Sequence, residues 1–379
     1  MDSIGLYIHV PYCVHKCGYC DFNSHPADSA EMGLYVSALF REMDCHAERS
    51  SGRWRVATIF LGGGTPTTLP VSYLERILDR CNKNFSLAPD CEITLEANPG
   101  TIREGLLRKI RRAGYNRISI GAQSFDDREL KQLDRIHGAD EIGRTADSAR
   151  SAGFDNLSLD LMFALPGQTL ARWEENLGRA LALEPEHLSA YNLTIEPETA
   201  FHKLQSRGKL VMPSEDFQAL LYKKTLKTLK TSGYRHYEIS NYCLPGRECK
   251  HNLNYWRNGP YLGLGAGAAS YLDGTRYKNW NLPSRYIREV MKNGAAAEFS
   301  ERLDPSQAMG ETLMLGLRLL KGIRIGEFER RFGASFSRTY EKPVSALLQN
   351  KMIHMRGGRV ALSRKGLYLA DSVILEFMS

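Results

Sequence analysis

Two periodicities alternate along the chain. Short runs rich in Ile, Leu, Val, Thr, Phe and Tyr are followed by longer stretches whose apolar residues recur every three to four positions. The short runs at residues 6–10, 56–61, 92–97, 117–121, 156–163 and 187–194 read as strands, most of them followed by Gly, Pro or Asn. Between them lie helical patterns. In residues 101–114, Ile102, Leu106, Ile110 and Ala113 share one face, with Thr101 as N-cap. In residues 169–184, Leu170, Trp173, Leu177, Ala180 and Leu181 do the same, with Thr169 as N-cap. Gly114 and Gly153 suit helix C-termini.

Six strand–helix units in a row predict an α/β fold with a parallel sheet curled into a partial (β/α)6 barrel. Six are fewer than the eight of a closed barrel, so the curved sheet stays open enough for a large substrate, with its chemistry at the C-terminal ends of the strands. After residue 233 the pattern changes. Residues 234–242 read as a further strand, and residues 243–271 as a loop and Gly-rich stretch. From about residue 300 the order is helix, helix, helix, a hairpin at 352–362 around Gly357-Gly358, then helix, a mainly α, winged-helix-like module. The expected organisation is a barrel over 1–233, a barrel extension over 234–299 and a C-terminal domain over 300–379, which suits a chain of 379 residues.

Composition changes this picture little. Apolar content of 42% and charged content of 25% belong to a soluble globular chain. The start, MDSIGLYIHVPYC, lacks the basic segment and long apolar run of a secretory signal. No window approaches the roughly 18 apolar residues of a membrane span, so a cytoplasmic protein is expected. The net charge is +7, and residues 301–379 hold 13 Lys and Arg against 8 Asp and Glu. That basic tail could meet nucleic acid, an anionic membrane surface or the propionates of a ligand; a solvated basic face is the plain alternative. Its helix at 326–331 carries Arg330 and Arg331, but no aromatic residues interleave with the basic ones, which speaks against nucleic acid. Eight cysteines in such a chain point to metal or redox chemistry rather than disulfides.

Three of them, Cys13, Cys17 and Cys20, follow the first strand with C-x3-C-x2-C spacing. Thiolates bind iron–sulfur clusters, and three leave one iron of a cubane open to a chelating cosubstrate. A zinc site completed by His15 or His25 is the alternative, although no second pair of ligands is evident. The second strand ends in Gly62-Gly63-Gly64-Thr65, which lets backbone approach a ligand closely. Later strands end in or carry Glu96, Gln123 and Asp160, groups suited to ribose hydroxyls and an ammonium; Asp126 and Asp127 read as helix caps. Arg135 could meet a carboxylate or lie on the surface. Tyr7 and His9 share one face of the first strand, Leu6 and Ile8 the other. Cys45, Cys81, Cys91 and Cys243 read as ordinary buried thiols.

Taken together, IHVPYC with CGYCDF, IFLGGGTP, EANP, RISIGAQSF, LDLMFALPGQ, YEISNY and HNLNYW resemble the HemN/HemW group of radical S-adenosylmethionine (SAM) proteins over nearly the whole chain. The resemblance implies a 4Fe–4S cluster on Cys13, Cys17 and Cys20, whose open iron takes SAM. It implies SAM contacts from Tyr7, Gly63, Gly64, Thr65, Glu96, Gln123, Arg135 and Asp160, and cleavage of SAM to a radical by an electron from the cluster. The group holds coproporphyrinogen III oxidases, which decarboxylate two propionates to vinyls, and heme chaperones, which bind heme and pass it to acceptor hemoproteins. Three features favour a chaperone. Phe22 stands where the oxidase motif has a further cysteine. The oxidase has several dozen residues before its cysteines. His251-Asn252-Leu253-Asn254-Tyr255-Trp256 matches the chaperones' HNxxYW segment. His251 is then a candidate axial heme ligand and Cys249 a thiolate alternative, with Tyr255 and Trp256 placed to stack on a porphyrin; His251 and Asn252 could equally organise a loop. The group often has a histidine where this chain has Ala269.

Overall fold

Period-two alternation decides the architecture. The computed structural model describes residues 2–26, 29–50, 52–103 and 105–378. Six strands lie side by side, parallel and in chain order: β1 (Asp2–Val10), β2 (Trp54–Gly63), β3 (Ser86–Ala97), β4 (Arg117–Gln123), β5 (Leu157–Phe163) and β6 (His187–Asn192). Alternate residues such as Ile4, Leu6, Ile8 and Val10 on β1, or Leu157, Leu159 and Leu161 on β5, are buried against helices on the outer face. The intervening residues line the concave side, and they are polar: Thr58, Glu92, Glu96, Arg117, Ser119, Asp160, His187 and Ser189. A closed barrel fills this space with branched apolar side chains.

The covering helices are α1 (Ser29–Ser50), α2 (Val71–Asn84), α3 (Leu106–Ala113), α4 (Ala139–Ser151), α5 (Leu170–Ala182) and α6 (Glu215–Thr231). Helix α5 starts where the sequence predicts, with Thr169 Oγ1 accepting from the Arg172 amide. Helix α3 does not. Pro99–Thr101 forms a separate 3-10 turn capped by Asn98, and the Thr101 hydroxyl donates to Asn98 O at 2.8 Å within that turn, four residues short of the helix N-cap at Gly105. The helix begins at Leu106 instead, after Gly105; Glu104, within the predicted span, lies outside the described residues.

The segment after residue 233 extends the same sheet at both edges. The strand expected at 234–242 is a hairpin, β7 (Arg235–Glu238) and β8 (Asn241–Cys243), antiparallel on β6. Its tight turn forms because the Glu238 carboxylate accepts from the Ser240 amide and from Asn241 Nδ2. A helix, α7 (Lys250–Trp256), follows. Strand β9 (Tyr261–Leu264) then pairs parallel with β1, and β10 (Ala269–Leu272), β11 (Thr275–Asn279) and β12 (Ala297–Arg302) continue antiparallel, giving twelve strands among the described residues. Helix α8 (Pro283–Asn293) packs on α1. Glu42 of α1 ties this edge down, accepting from the Gly265 amide (2.8 Å), Asn279 Nδ2 (2.7 Å) and Tyr286 Oη (2.6 Å); burial raises its pKa to about 6.

The C-terminal domain has its own core, with Leu313, Leu317, Phe328, Phe336 and Val360. It holds α9 (Pro305–Gly316), β13 (Ile323–Arg324), α10 (Ile325–Phe332), α11 (Glu341–Gln349), β14 (Ile353–Arg356), β15 (Arg359–Leu362) and α12 (Ala370–Leu375), with short helical turns between. The expected hairpin is present and turns at Gly357 and Gly358, both at positive φ. Two backbone bonds, Ile239 N to Arg318 O and Leu320 N to Tyr237 O, each 3.1 Å, join the barrel edge to this domain. Among the described residues no helix is long and apolar enough to cross a membrane.

Trp173 is fully buried between α5 and the sheet, and its indole N–H donates to Thr225 Oγ1 of α6 at 2.9 Å. Trp173→Ala leaves a large cavity and removes a buried hydrogen bond, and should cost about 3–5 kcal/mol. Urea unfolding of the two proteins checks this; a loss under about 1 kcal/mol would show that the site collapses around the missing ring.

Candidate functional site

The cysteine loop leaves the C-terminal end of β1 and is pinned on both sides. His9, pointing inward from β1, bonds Tyr7 Oη through Nδ1 (2.9 Å) and Asn23 O through Nε2 (2.8 Å). Asn23 in turn donates to Ala266 O (3.1 Å) and Asn281 O (2.8 Å), which fixes the far end of the loop to the β9–β12 edge. Within the loop the Cys20 amide donates to Cys17 O. Cys13, Cys17 and Cys20 are free thiols, close enough that each feels the others' charge. Burial raises the pKa of Cys13, and that of Cys20 to about 11, so a metal must displace protons to load. Cys13 Sγ lies 3.3 Å from Thr65 Oγ1, and Arg135 Nη1 lies 3.6 Å from Cys17 Sγ.

The donor set fits an iron–sulfur cluster. Among the described residues no three His, Cys, Asp or Glu side chains converge as a single ion requires. Three thiols spread over one loop suit a cluster, whose bridging sulfides hold the protein ligands apart. His25 Nε2 is tied to Asn23 Oδ1 at 3.1 Å.

The glycine loop after β2 is packed so closely that only glycine fits. A Cβ on Gly64 would stand 2.6 Å from Tyr12 O; on Gly63, where φ is +110°, one would fall within the His9 ring's contact distance; on Gly62, 2.7 Å from Glu96 Oε2. The amides of Gly64 and Thr65 donate to Val10 O and Tyr12 O, and that of Gly63 to Glu96 Oε2 at 3.2 Å. Burial, and then the Asp160 charge, push the Glu96 pKa up to about 8. Gln123 ends β4 at φ +64°, a left-handed conformation that costs a non-glycine residue on the order of 1–3 kcal/mol. Arg135 donates to Gly121 O at 2.7 Å, and both Gln123 and Arg135 crowd the space above Gly121. The surface alternative for Arg135 is thereby corrected: the side chain turns inward because the strand-end carbonyl and the cysteine loop offer acceptors.

Tyr7, Gly63, Gly64, Thr65, Glu96, Gln123 and Arg135 therefore gather with the cysteines at the barrel mouth. Asp160 lies deeper. It accepts from Ser189 Oγ (2.7 Å) and Ser119 Oγ (3.1 Å).

His251 and Cys249 lie at the other end of the barrel. Glu92 receives the N-terminus of α7, accepting from the Lys250 and His251 amides at 3.0 Å each and from Cys249 Sγ at 3.6 Å. The His251 ring, 1% exposed, stacks on Phe60, and both its nitrogens are engaged, Nδ1 with Thr58 Oγ1 (2.8 Å) and Nε2 with Tyr255 Oη (3.0 Å). Burial, helped by the Arg117 charge, lowers its pKa to about 3. The HNLNYW segment thus closes the floor of the barrel, and an axial bond from His251 requires one of these hydrogen bonds to open. Ala269 opens β10 opposite Lys278.

Three residues of this machinery receive no role from the sequence, although His9 and Arg117 fall within the IHVPYC and RISIGAQSF segments. His9 shares Tyr7's inward face but sits in a run of strand formers. Asn23 lies beyond the last cysteine of the motif. Arg117 occupies the same alternating register as Ser119, Gly121 and Gln123, and that register was the available signal.

Glu96 makes a pH prediction for the SAM implied by the resemblance. In the free protein its carboxyl is largely protonated at pH 7, since its pKa is about 8. A cation beside it lowers that pKa, so binding releases a proton and affinity climbs with pH up to about 8. Titration calorimetry in two buffers of different ionisation heat measures the release. Glu96→Gln should abolish it, and identical heats for the unaltered protein in both buffers would exclude it.

The comparisons agree with this geometry. The model of the radical SAM superfamily matches residues 7–180, and that of the HemN C-terminal domain residues 303–369. The heme chaperone HemW of Bacillus subtilis is 36% identical over 373 residues, covering 98% of each chain. The heme chaperone HemW of Escherichia coli is 42% identical over 318 residues, 79% of this chain and 82% of that one. Among solved structures, coproporphyrinogen III oxidase (HemN) from Escherichia coli superposes with a TM-score of 0.86 at 22% identity, over 100% of this chain and 90% of that one, a likeness of fold. Such a fold implies SAM and a 4Fe–4S cluster. Strand order, cysteine loop and full-length similarity together place the chain in the HemW family of radical SAM proteins.

Proposed function

We propose that this chain is a cytoplasmic heme chaperone that carries a 4Fe–4S cluster on Cys13, Cys17 and Cys20, binds SAM at the barrel mouth, and hands heme to acceptor hemoproteins. A cluster held on this loop supplies an electron next to the bound cosubstrate. The chain's own groups do the rest. Arg135, 3.6 Å from Cys17 Sγ, offsets thiolate charge. The backbone of Gly63 and Gly64 can grip an ammonium and a carboxylate, with Glu96 providing the countercharge and Thr65, Gln123 and Tyr7 polar contacts around them. Asp160, already satisfied by two serines, steadies the layer beneath. His251 remains the candidate axial heme ligand through a rearranged floor.

The observation that carries a chaperone over an oxidase is Phe22. Its ring, 61% exposed beside the cysteine loop, stands where the oxidase motif has a further thiol. The full-length relatives named as heme chaperones support the same side. The oxidase is kept as the second reading because its fold superposes over the whole chain.

Protein reconstituted anaerobically with iron and sulfide, then given reductant, SAM and coproporphyrinogen III, should yield no protoporphyrinogen by mass spectrometry while still taking up heme and passing it to an apo-hemoprotein. Stoichiometric decarboxylation would make the protein an oxidase. Cys17→Ala should lose cluster iron and sulfide and keep its fold, as judged by circular dichroism; full cluster content in that variant would move the cluster elsewhere.

A further inference from the structure

Beneath α7 the barrel floor and the C-terminal domain do not meet flush. A cleft of about 800 Å³ separates them, at the opposite end of the barrel from the cysteines. Its size falls within the roughly 300–1,000 Å³ of small-molecule sites. One wall is built by β7 and α7, the other by the C-terminal domain. Both walls carry cations: Arg235 and Arg257 on the first, Lys321, Arg324 and Arg359 on the second, with Arg331 at the side. Only two carboxylates, Glu248 and Glu327, line the same space. Arg235, Arg257 and Lys321 pair with no carboxylate among the described residues. Like charges gathered around one concavity repel, and an anionic ligand relieves the repulsion.

Between the cations the lining is largely apolar. Leu253, Leu319, Ile323 and Phe328 contribute, together with the Trp256 ring. The Trp256 indole N–H is buried without a partner among the described residues. His236 adds a ring rather than a charge, because burial lowers its pKa to about 4. Apolar walls rimmed by cationic side chains on two sides fit a planar macrocycle with acidic substituents. They do not fit an extended polyphosphate, which needs no such apolar area.

We propose that this cleft is the tetrapyrrole site, with the macrocycle packed against Trp256 and its two propionates held from opposite walls by Arg235 and Arg324. The proposal rests on the heme reading above and adds where the heme sits; it sets aside His251 as the axial ligand, since that ring faces Thr58 and Phe60 inside the barrel and does not line the cleft. It separates heme carriage from the SAM chemistry by the depth of the barrel, with α7 as the shared partition. It also gives the C-terminal domain a task that the cysteine loop does not touch. Arg324 is free to serve, since its one ion pair, with Glu327 at 3.5 Å, is solvent-exposed and weak.

The test is a hemin titration followed by Soret absorbance on the full-length protein and on Arg235→Glu/Arg324→Glu. Hemin should bind the double variant about tenfold or more weakly, as expected for lost charge-assisted contacts. Hemin dimethyl ester, whose propionates are masked, should bind both proteins alike. Should the reversed pair fail to fold, judged by thermal midpoint, Arg235→Gln/Arg324→Gln replaces it, with a several-fold loss expected. A folded variant of either kind that binds hemin as tightly as the unaltered chain overturns the site and leaves the chaperone reading standing. An unaltered chain that takes up no hemin overturns both.

Discussion

Arg117 enters the barrel from the first position of β4 and is 2% exposed. Burial by itself would lower its pKa, but Cys249, Glu92, Tyr237 and Asp160 lie near the guanidinium and raise it instead. Everything polar in the barrel interior is arranged about that cation. Glu92 is available to receive α7 because a positive charge stands near it. Asp160 can be buried because serine hydroxyls donate to it and Arg117 faces it. A concave sheet lined with charge is otherwise costly to fold, since buried ions lose several kcal/mol of hydration each. Here one guanidinium offsets carboxylates from β3 and β5, and the floor closes over them.

The two ends of the barrel divide the work. At the floor the groups around α7 are tied to one another: His251 has both nitrogens engaged, and Glu92 accepts three times, with Arg117 Nε and Trp256 Nε1 left over. At the mouth capacity is left over. Arg135 Nε is buried without a partner, Gln123 holds a left-handed backbone, and Ala164, ending β5, does the same at φ +60°.

Much of this was legible in the residues. Runs of strand formers gave the six strands, and their regular alternation with helical patterns gave the parallel sheet. The cysteine spacing and the three glycines pointed to the mouth, because each glycine there is forced by a neighbour: His9, Glu96 or the Tyr12 carbonyl. What could not be read depended on partners far away in sequence. Thr101 looks like a helix cap until Asn98 and Thr67 claim its hydroxyl. Residues 234–242 read as one strand because the Glu238 turn leaves no glycine or proline to mark it. His251 reads as a metal ligand because nothing nearby in sequence reveals Thr58, which takes its nitrogen from 193 positions away. The cleft below α7 was invisible for the same reason: its cations come from two cores.

The position of β1 in the sheet has a consequence for biosynthesis. Its neighbours are β2 on one side and β9 on the other, Gly5 pairing with both Thr58 and Tyr261. On a ribosome adding roughly 5–20 residues per second, one flank of β1 stays unpaired for on the order of 10–50 s after the strand has emerged. During that interval the nascent chain presents a bare strand edge, a template for association with other chains. The cysteine loop beside it is likewise open, because its anchor at Ala266 and Asn281 has yet to be made. Translation order thus gives this protein a period in which its first strand is most vulnerable to aggregation and its cysteines are most accessible.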